Sequence, residues 1–199
     1  RVLKPGGEFY LSDVMVDRRL PEAVAFDPVL HGECLGGAMY TPDFIDLASK
    51  VGFAQPRIIE RAPITIGSDE VLAKVGAAQF ESVTWRLFNL PGADTGCEDY
   101  GHVATYLGSA DDALFVLDDA HTFEAHRPER VCRVTARMLT DTRFGRHFQV
   151  SGGRTHFGAF PCDPTLAARQ HGQRSVPTAA AEATGCCTPS TKAKGGCCG

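Results

Sequence analysis

Leu3-Lys4-Pro5-Gly6-Gly7-Glu8 runs straight into Phe9-Tyr10-Leu11-Ser12-Asp13-Val14-Met15-Val16. A Pro-Gly-Gly turn that feeds a β-rich apolar run reads as a buried strand of a parallel sheet. Beyond Val16 the chain is punctuated by helix signals. Asp27-Pro28 opens a short helix, with Asp as N-cap and Pro at the first helical position, and Gly36-Gly37 closes it. Leu30 and Cys34 would share one face in its last turn. Thr41-Pro42-Asp43 opens the next helix, with Phe44, Leu47, Ala48 and Val51 as its apolar stripe and Gly52 as its stop. A strand is expected over 57–60, broken by Pro63. Ser68-Asp69-Glu70 caps a helix expected to reach Gln79, buried through Val71, Leu72, Val75 and Ala78. Ser82 to Leu90 alternates, with Val83, Trp85 and Leu87 on one face, and reads as a strand. Pro91-Gly92 is the exit from this first unit.

From Cys97 the pattern changes to that of a smaller α+β unit. Strands are expected over 103–107, 114–117, 122–124 and 148–150, a helix over 131–139, and the ordered part ends over 156–160. Beyond Asp163 the chain turns to Ala, Thr, Gly, Gln and Pro without an apolar period, which predicts disorder. The expected organisation is therefore 1–92, 93–162, and a flexible cysteine-rich tail over 163–199. Hydrophobic residues at 43% and charged residues at 22% allow an ordinary globular core, and the net charge of −4 argues against a nucleic-acid binder. No apolar run approaches the roughly 18 residues of a membrane span and no export signal opens the chain, so a soluble, cytoplasmic protein is expected.

The chain has eight cysteines. Cys34, Cys97, Cys132 and Cys162 stand alone, whereas Cys186-Cys187 and Cys197-Cys198 are adjacent pairs. That spacing is not a secreted disulfide framework, and reduced thiols for metal or metalloid chemistry are expected. The first two isolated cysteines have unusual neighbours, in Gly32-Glu33-Cys34-Leu35-Gly36-Gly37-Ala38 and in Cys97-Glu98-Asp99-Tyr100-Gly101. By residue type alone, Cys34 reads first as a small buried hydrophobe, the commonest fate of a free cysteine.

These two motifs, in this order and with the segments between them, resemble the arsenite methyltransferases that use S-adenosylmethionine. The resemblance covers most of residues 1–160. Leu3-Lys4-Pro5-Gly6-Gly7 before its strand likewise resembles the fifth strand of Rossmann-like methyltransferases. The fold class this implies is α/β: the C-terminal part of a Rossmann-like methyltransferase domain, then a small α+β domain and a disordered tail. In that family the glycine-rich cofactor loop follows the first strand. No such loop follows a strand here, and Gly6-Gly7 precedes one, so the contacts to S-adenosylmethionine are expected upstream of Arg1 and the 199 residues are expected to be inactive alone.

The resemblance also implies that Cys34 and Cys97 converge as ligands of arsenic(III), the substrate being arsenite or methylarsenite. Trivalent arsenic is soft and prefers thiolates. Held by two or three sulfurs, it keeps a lone pair for attack on the sulfonium methyl, so the protein acts by positioning and needs no general base. A thiol reductant such as thioredoxin or glutathione is implied for recycling the site.

The other candidates carry structural readings beside functional ones. Cys132 lies beside a helix stripe and suits core packing better than ligation, and Cys162, after Phe160-Pro161, is open between the two. The tail cysteines Cys186, Cys187, Cys197 and Cys198 could chelate arsenic on a flexible tether or be dispensable. They lack the Cys-x-x-Cys spacing of zinc sites. Glu33 and Glu98 would oppose thiolate formation and read as surface charges. His31, three residues before Cys34, reads as a helix-end histidine or as a neighbour of the thiol. Ser12-Asp13 would lie at the C-terminal end of the first strand, where open α/β sheets place ligands. Two further readings compete with the enzyme: a thiol-based sequestration module, and a methyltransferase for an organic substrate.

Overall fold

A computed structural model of the chain describes residues 2–109 and 112–162. The expected tail over 163–199, with its cysteine pairs, lies outside the described residues. The first part contains β1 (Glu8–Val16), α1 (Glu22–Ala25), α2 (Pro28–Gly32), β2 (Met39–Tyr40), α3 (Thr41–Lys50), β3 (Arg57–Pro63), α4 (Asp69–Val75) and β4 (Phe80–Phe88). Its sheet has the order β2-β1-β4-β3. β4 is antiparallel to both neighbours, so β3 runs parallel to β1 with a reversed strand between them.

β1 departs from the expected parallel, buried strand. It pairs with β4 over its full length, from Glu8↔Phe88 to Val16↔Phe80, but its other edge meets only β2 at Met15 and Val16. Those two residues are buried, whereas Phe9 and Tyr10 are about half exposed, at 49% and 52%. Both faces of a strand are buried only where layers cover both, and among the described residues that holds only at the end of β1. Ser12 and Asp13 consequently sit in mid-strand rather than at its C-terminal end. The Ser12 and Thr84 hydroxyls share a hydrogen bond of 2.7 Å across the ladder, and Asp13 accepts the N–H of Val14.

Alternation along β1 and β4 divides the core in two. Met15, Val83, Trp85 and Leu87 face α3 through Ala48, with Phe44 and Ile45 packed alongside; the Trp85 and Phe44 rings are 4.6 Å apart. Val16 and Phe80 face the other way, onto Leu30, Leu35, Val71, Val75 and Ala78. The stripe expected on α3 is thus rotated, since Leu47 and Val51 are exposed and Ile45 packs in their place. α4 begins at its Ser68 cap, whose hydroxyl accepts the N–H of Val71, but ends at Val75 rather than Gln79. Gly76, at φ 61°, turns the chain there.

The second part contains β5 (Glu98–Asp99), β6 (His102–Tyr106), β7 (Leu114–Asp118), β8 (His121–Glu124), β9 (Pro128–Val131), α5 (Arg133–Thr140), β10 (Phe148–Ser151) and β11 (Gly158–Ala159). β10-β6-β9 forms an antiparallel sheet, β7-β8 a hairpin, and β5 pairs with β11. Val131 ends a strand, and the helix expected from it starts at Arg133 with Cys132 as N-cap. Phe88 and Leu90 belong to this part's core, with Leu117, Phe123, Val134 and Leu139. Polar contacts tie the two parts together. Glu8 accepts from Arg86 at 2.6 Å and from Arg143 at 2.8 Å. Gly6, at φ +75°, packs so tightly that a β-carbon there would run into the Asp141 carbonyl.

Candidate functional site

Cys34 lies two residues beyond α2 rather than within its last turn. Asp27 starts that helix as expected, its carboxylate accepting the N–H groups of Val29 at 2.9 Å and Leu30 at 3.0 Å. The helix stops in a Schellman arrangement: the Leu30 carbonyl accepts from Leu35 and Gly36, and the His31 carbonyl accepts from Cys34. Leu30 and Leu35, the apolar pair that accompanies such a stop, are both buried. The motif needs one residue in the left-handed region, usually glycine, and here that residue is Cys34 at φ 61°. Its thiol is free and exposed, which excludes the buried-hydrophobe reading. Gly36 follows because the Ala25 and Val24 carbonyls pass 3.1 and 3.2 Å from where a β-carbon would stand. The His31 ring lies against Gly37.

Cys97 is placed differently from expectation. The sulfurs of Cys97, Cys132 and Cys162 lie within 4.8 Å of one another, and Cys34 stands outside this group. Cys97 and Cys162 are joined as a disulfide with a Cα–Cα distance of 6.6 Å, where reduced thiols were expected. β5 and β11 make that junction. Glu98 pairs with Ala159, the Phe160 N–H donates to the Cys97 carbonyl at 2.7 Å, and the chain turns Cys162 back onto Cys97. Cys132, which reads from the sequence as a packing residue, is indeed buried, but its sulfur also caps α5 by accepting the N–H of Thr135 at 3.5 Å. All three cysteines line a cleft of about 830 Å³, walled by Ile45 and Ser49 of α3, Arg57 of β3, and His121.

The cleft floor is charged. Arg57, only 6% exposed, donates to Gln55 and to the Thr135 hydroxyl, each at 3.0 Å, and pairs with Asp118 at 3.5 Å. The Thr135 hydroxyl in turn lies 3.2 Å from the Cys132 sulfur. Burial, the largest single influence on Asp118, opposes its ionisation. His121 at 2.7 Å, Arg57 and the Ala120 N–H together outweigh burial and hold the carboxyl below its ordinary range. Gln55 anchors the segment before Cys97 by donating to the Gly96 carbonyl at 2.9 Å. Glu98, beside Cys97, points to His156 at 2.7 Å, and Asp99 binds Arg130 at 2.6 Å, so both carboxylates are paired. Burial holds His102 below its ordinary value, Arg133 adding to the effect and Asp99 opposing it.

Sequence reading missed Arg57, Gln55, Thr135 and the grouping of Cys132 with Cys162. Only the polar residues at the start of a core strand hint at the first two. Gly92, Gly101, Gly108, Gly152 and Gly153 follow strands but lead on to another strand rather than into a helix, and the space over Gly6 is filled by Asp141. These residues therefore do not build a site for S-adenosylmethionine. Among the described residues, no helix is long and apolar enough to cross a membrane.

No family model matches the chain. Over 163 residues it is 51% identical to arsenite methyltransferase of Aquipseudomonas alcaligenes, covering 80% of this chain and 47% of that protein. It is 36% identical over 154 residues to human arsenite methyltransferase, covering 75% of this chain and 40% of that one. Its fold is similar to the crystal structure of CrArsM, an arsenic(III) S-adenosylmethionine methyltransferase from Chlamydomonas reinhardtii. The TM-score is 0.77 at 47% identity, over 80% of this chain and 55% of that one. The chain spans less than half the length of these curated relatives. The likenesses bear out the resemblance carried by the two cysteine motifs and the mixed α/β architecture.

Proposed function

We propose that this chain is the C-terminal portion of an arsenite methyltransferase, in which Cys34 and Cys97 hold trivalent arsenic while it receives a methyl group from S-adenosylmethionine. The observation that carries the reading is the backbone of Cys34. A side chain in the left-handed region costs about 1–2 kcal/mol, which glycine would avoid. The sequence nevertheless presents an exposed thiol there. Strain kept at one residue against a costless alternative supports a functional demand for its sulfur. The curated relatives and the solved neighbour, each named for this chemistry, agree. In this reading, the methyl donor is bound by residues other than those described.

The Cys97–Cys162 disulfide gives the thiol reductant a defined task. Cys97 must be a thiolate to hold arsenic, so thioredoxin or glutathione acts before substrate binds. The protein then works in the cytoplasm, where such a disulfide is transient. The chain divides at residues 1–92, 93–162 and 163–199, with the tail cysteines 186, 187, 197 and 198 as an arsenic-capturing tether. The test is methyl transfer from labelled S-adenosylmethionine to arsenite, assayed on the protein encoded by the complete coding sequence. Cys34→Ser and Cys97→Ser should each lower turnover by at least about 100-fold, the range in which loss of a positioning contact falls. Turnover unchanged in Cys34→Ser would refute the assignment. Removal of the tail cysteines alone abolishing arsenite binding would favour sequestration instead.

A further inference from the structure

We infer that Cys97, Cys132 and Cys162 form, once the disulfide is reduced, a second arsenic site of three thiolates. The existing disulfide is its redox gate. The choice of arsenic rests on the proposed function above, whereas the site itself rests on geometry. Thiolate sulfurs bind soft ions at about 2.3 Å, so sulfurs sharing one ion stand less than about 4.6 Å apart. The three lie within 4.8 Å of one another while two of them are still covalently joined, so only a small adjustment is needed. All three border the same cleft, which gives a small molecule such as arsenous acid a way in. Cys132 is fixed from behind: the N–H and hydroxyl of Thr135 both reach its sulfur, and Arg57 holds that hydroxyl in turn. Such outer hydrogen bonds orient a ligand before the ion arrives.

The chemistry balances. A dithiol reductant passes two electrons and two protons to the Cys97–Cys162 bond, and leaves as its own disulfide. Arsenous acid then exchanges three As–O bonds for three As–S bonds. The three thiol protons depart with the three hydroxyl groups as water, and arsenic remains trivalent. In the oxidised protein, two of the three sulfurs are spent on each other and the site cannot form. Cys97 is common to this set and to the pair with Cys34, so arsenic held here withdraws Cys97 from transfer.

The test uses the full chain with the four tail cysteines and Cys34 replaced by serine, which leaves only the three thiols in question. Reduced, it should bind one arsenite, protect all three thiols from alkylation, and show three sulfurs around arsenic in X-ray absorption. Oxidised, the same protein should bind none. Cys132→Ser keeps an N-cap acceptor for α5 and should bind about 100-fold more weakly, as a chelate that has lost one arm does. Binding of equal strength in Cys132→Ser, fewer than three sulfurs on arsenic, or equal binding by the oxidised protein would each overturn the site. Methyl transfer is read separately, through Cys34→Ser in the complete protein. Failure of that reading and failure of the three-thiol site therefore give different results.

Discussion

Reducing the Cys97–Cys162 bond should destabilise the protein far more than the loss of a surface contact. The two cysteines are 65 positions apart, and the loop they close contains nearly all of the second part of the fold. In the chain-entropy account, the bond acts mainly on the unfolded state by denying it the conformations in which those ends separate. For a loop of that length the effect is about 4 kcal/mol at 25 °C. Residual structure in the unfolded chain reduces it. With a urea slope near 2 kcal/mol/M, the midpoint should fall by about 2 M on reduction. The assay is urea unfolding followed by tryptophan fluorescence, with and without a dithiol, in a chain whose tail cysteines are serine. Trp85 is fully buried and reports the first part, so far-ultraviolet dichroism is recorded in parallel for the second. The Cys97→Ser, Cys162→Ser double variant should match the reduced protein in either condition. Midpoints within about 0.3 M of each other in the two redox states would refute the reasoning, because a loop of this size cannot be closed at so small an effect.

Three other outcomes are expected. Cys34→Gly should raise unfolding stability by about 1 kcal/mol, since glycine relieves the left-handed backbone, while ending arsenite turnover in the complete protein; a loss of stability would show that the sulfur packs rather than binds. Trp85→Ala, on β4 against α3, should cost about 3–5 kcal/mol by urea denaturation, and a cost below about 1 kcal/mol would contradict its place at the centre of that layer. The depressed carboxyl of Asp118 makes stability pH-dependent: the unfolded chain binds the proton first as pH falls, so the contribution is fully present above the unfolded value of about 3.9 and is lost as pH drops through the lower folded value. Urea midpoints between pH 5 and pH 2.5 should therefore fall less steeply in Asp118→Asn than in the parent, and identical slopes would refute the pairing with Arg57 and His121.

Most local elements and the chemistry of their ends are legible along the chain. Asp27 and Ser68 cap their helices, Gly52 ends the helix before it, and the alternation through Val83, Trp85 and Leu87 marks a strand, because each depends on residues within one or two turns of chain. The two cysteine motifs were legible for the same reason, since a resemblance is carried by neighbours in sequence. Burial and partnership were not legible. Phe9 and Tyr10 belong to a strand as apolar as a buried one, yet their exposure depends on which layers come to cover them. The left-handed turn at Cys34 hid because nothing in a cysteine announces a positive φ. Above all, Cys97 meets Cys162 and Cys132 because β5 pairs with β11 and α5 starts where β9 ends. Those are contacts through space between segments tens of residues apart, which pattern and spacing along the chain do not encode, so only the tertiary structure decides which thiols share a site.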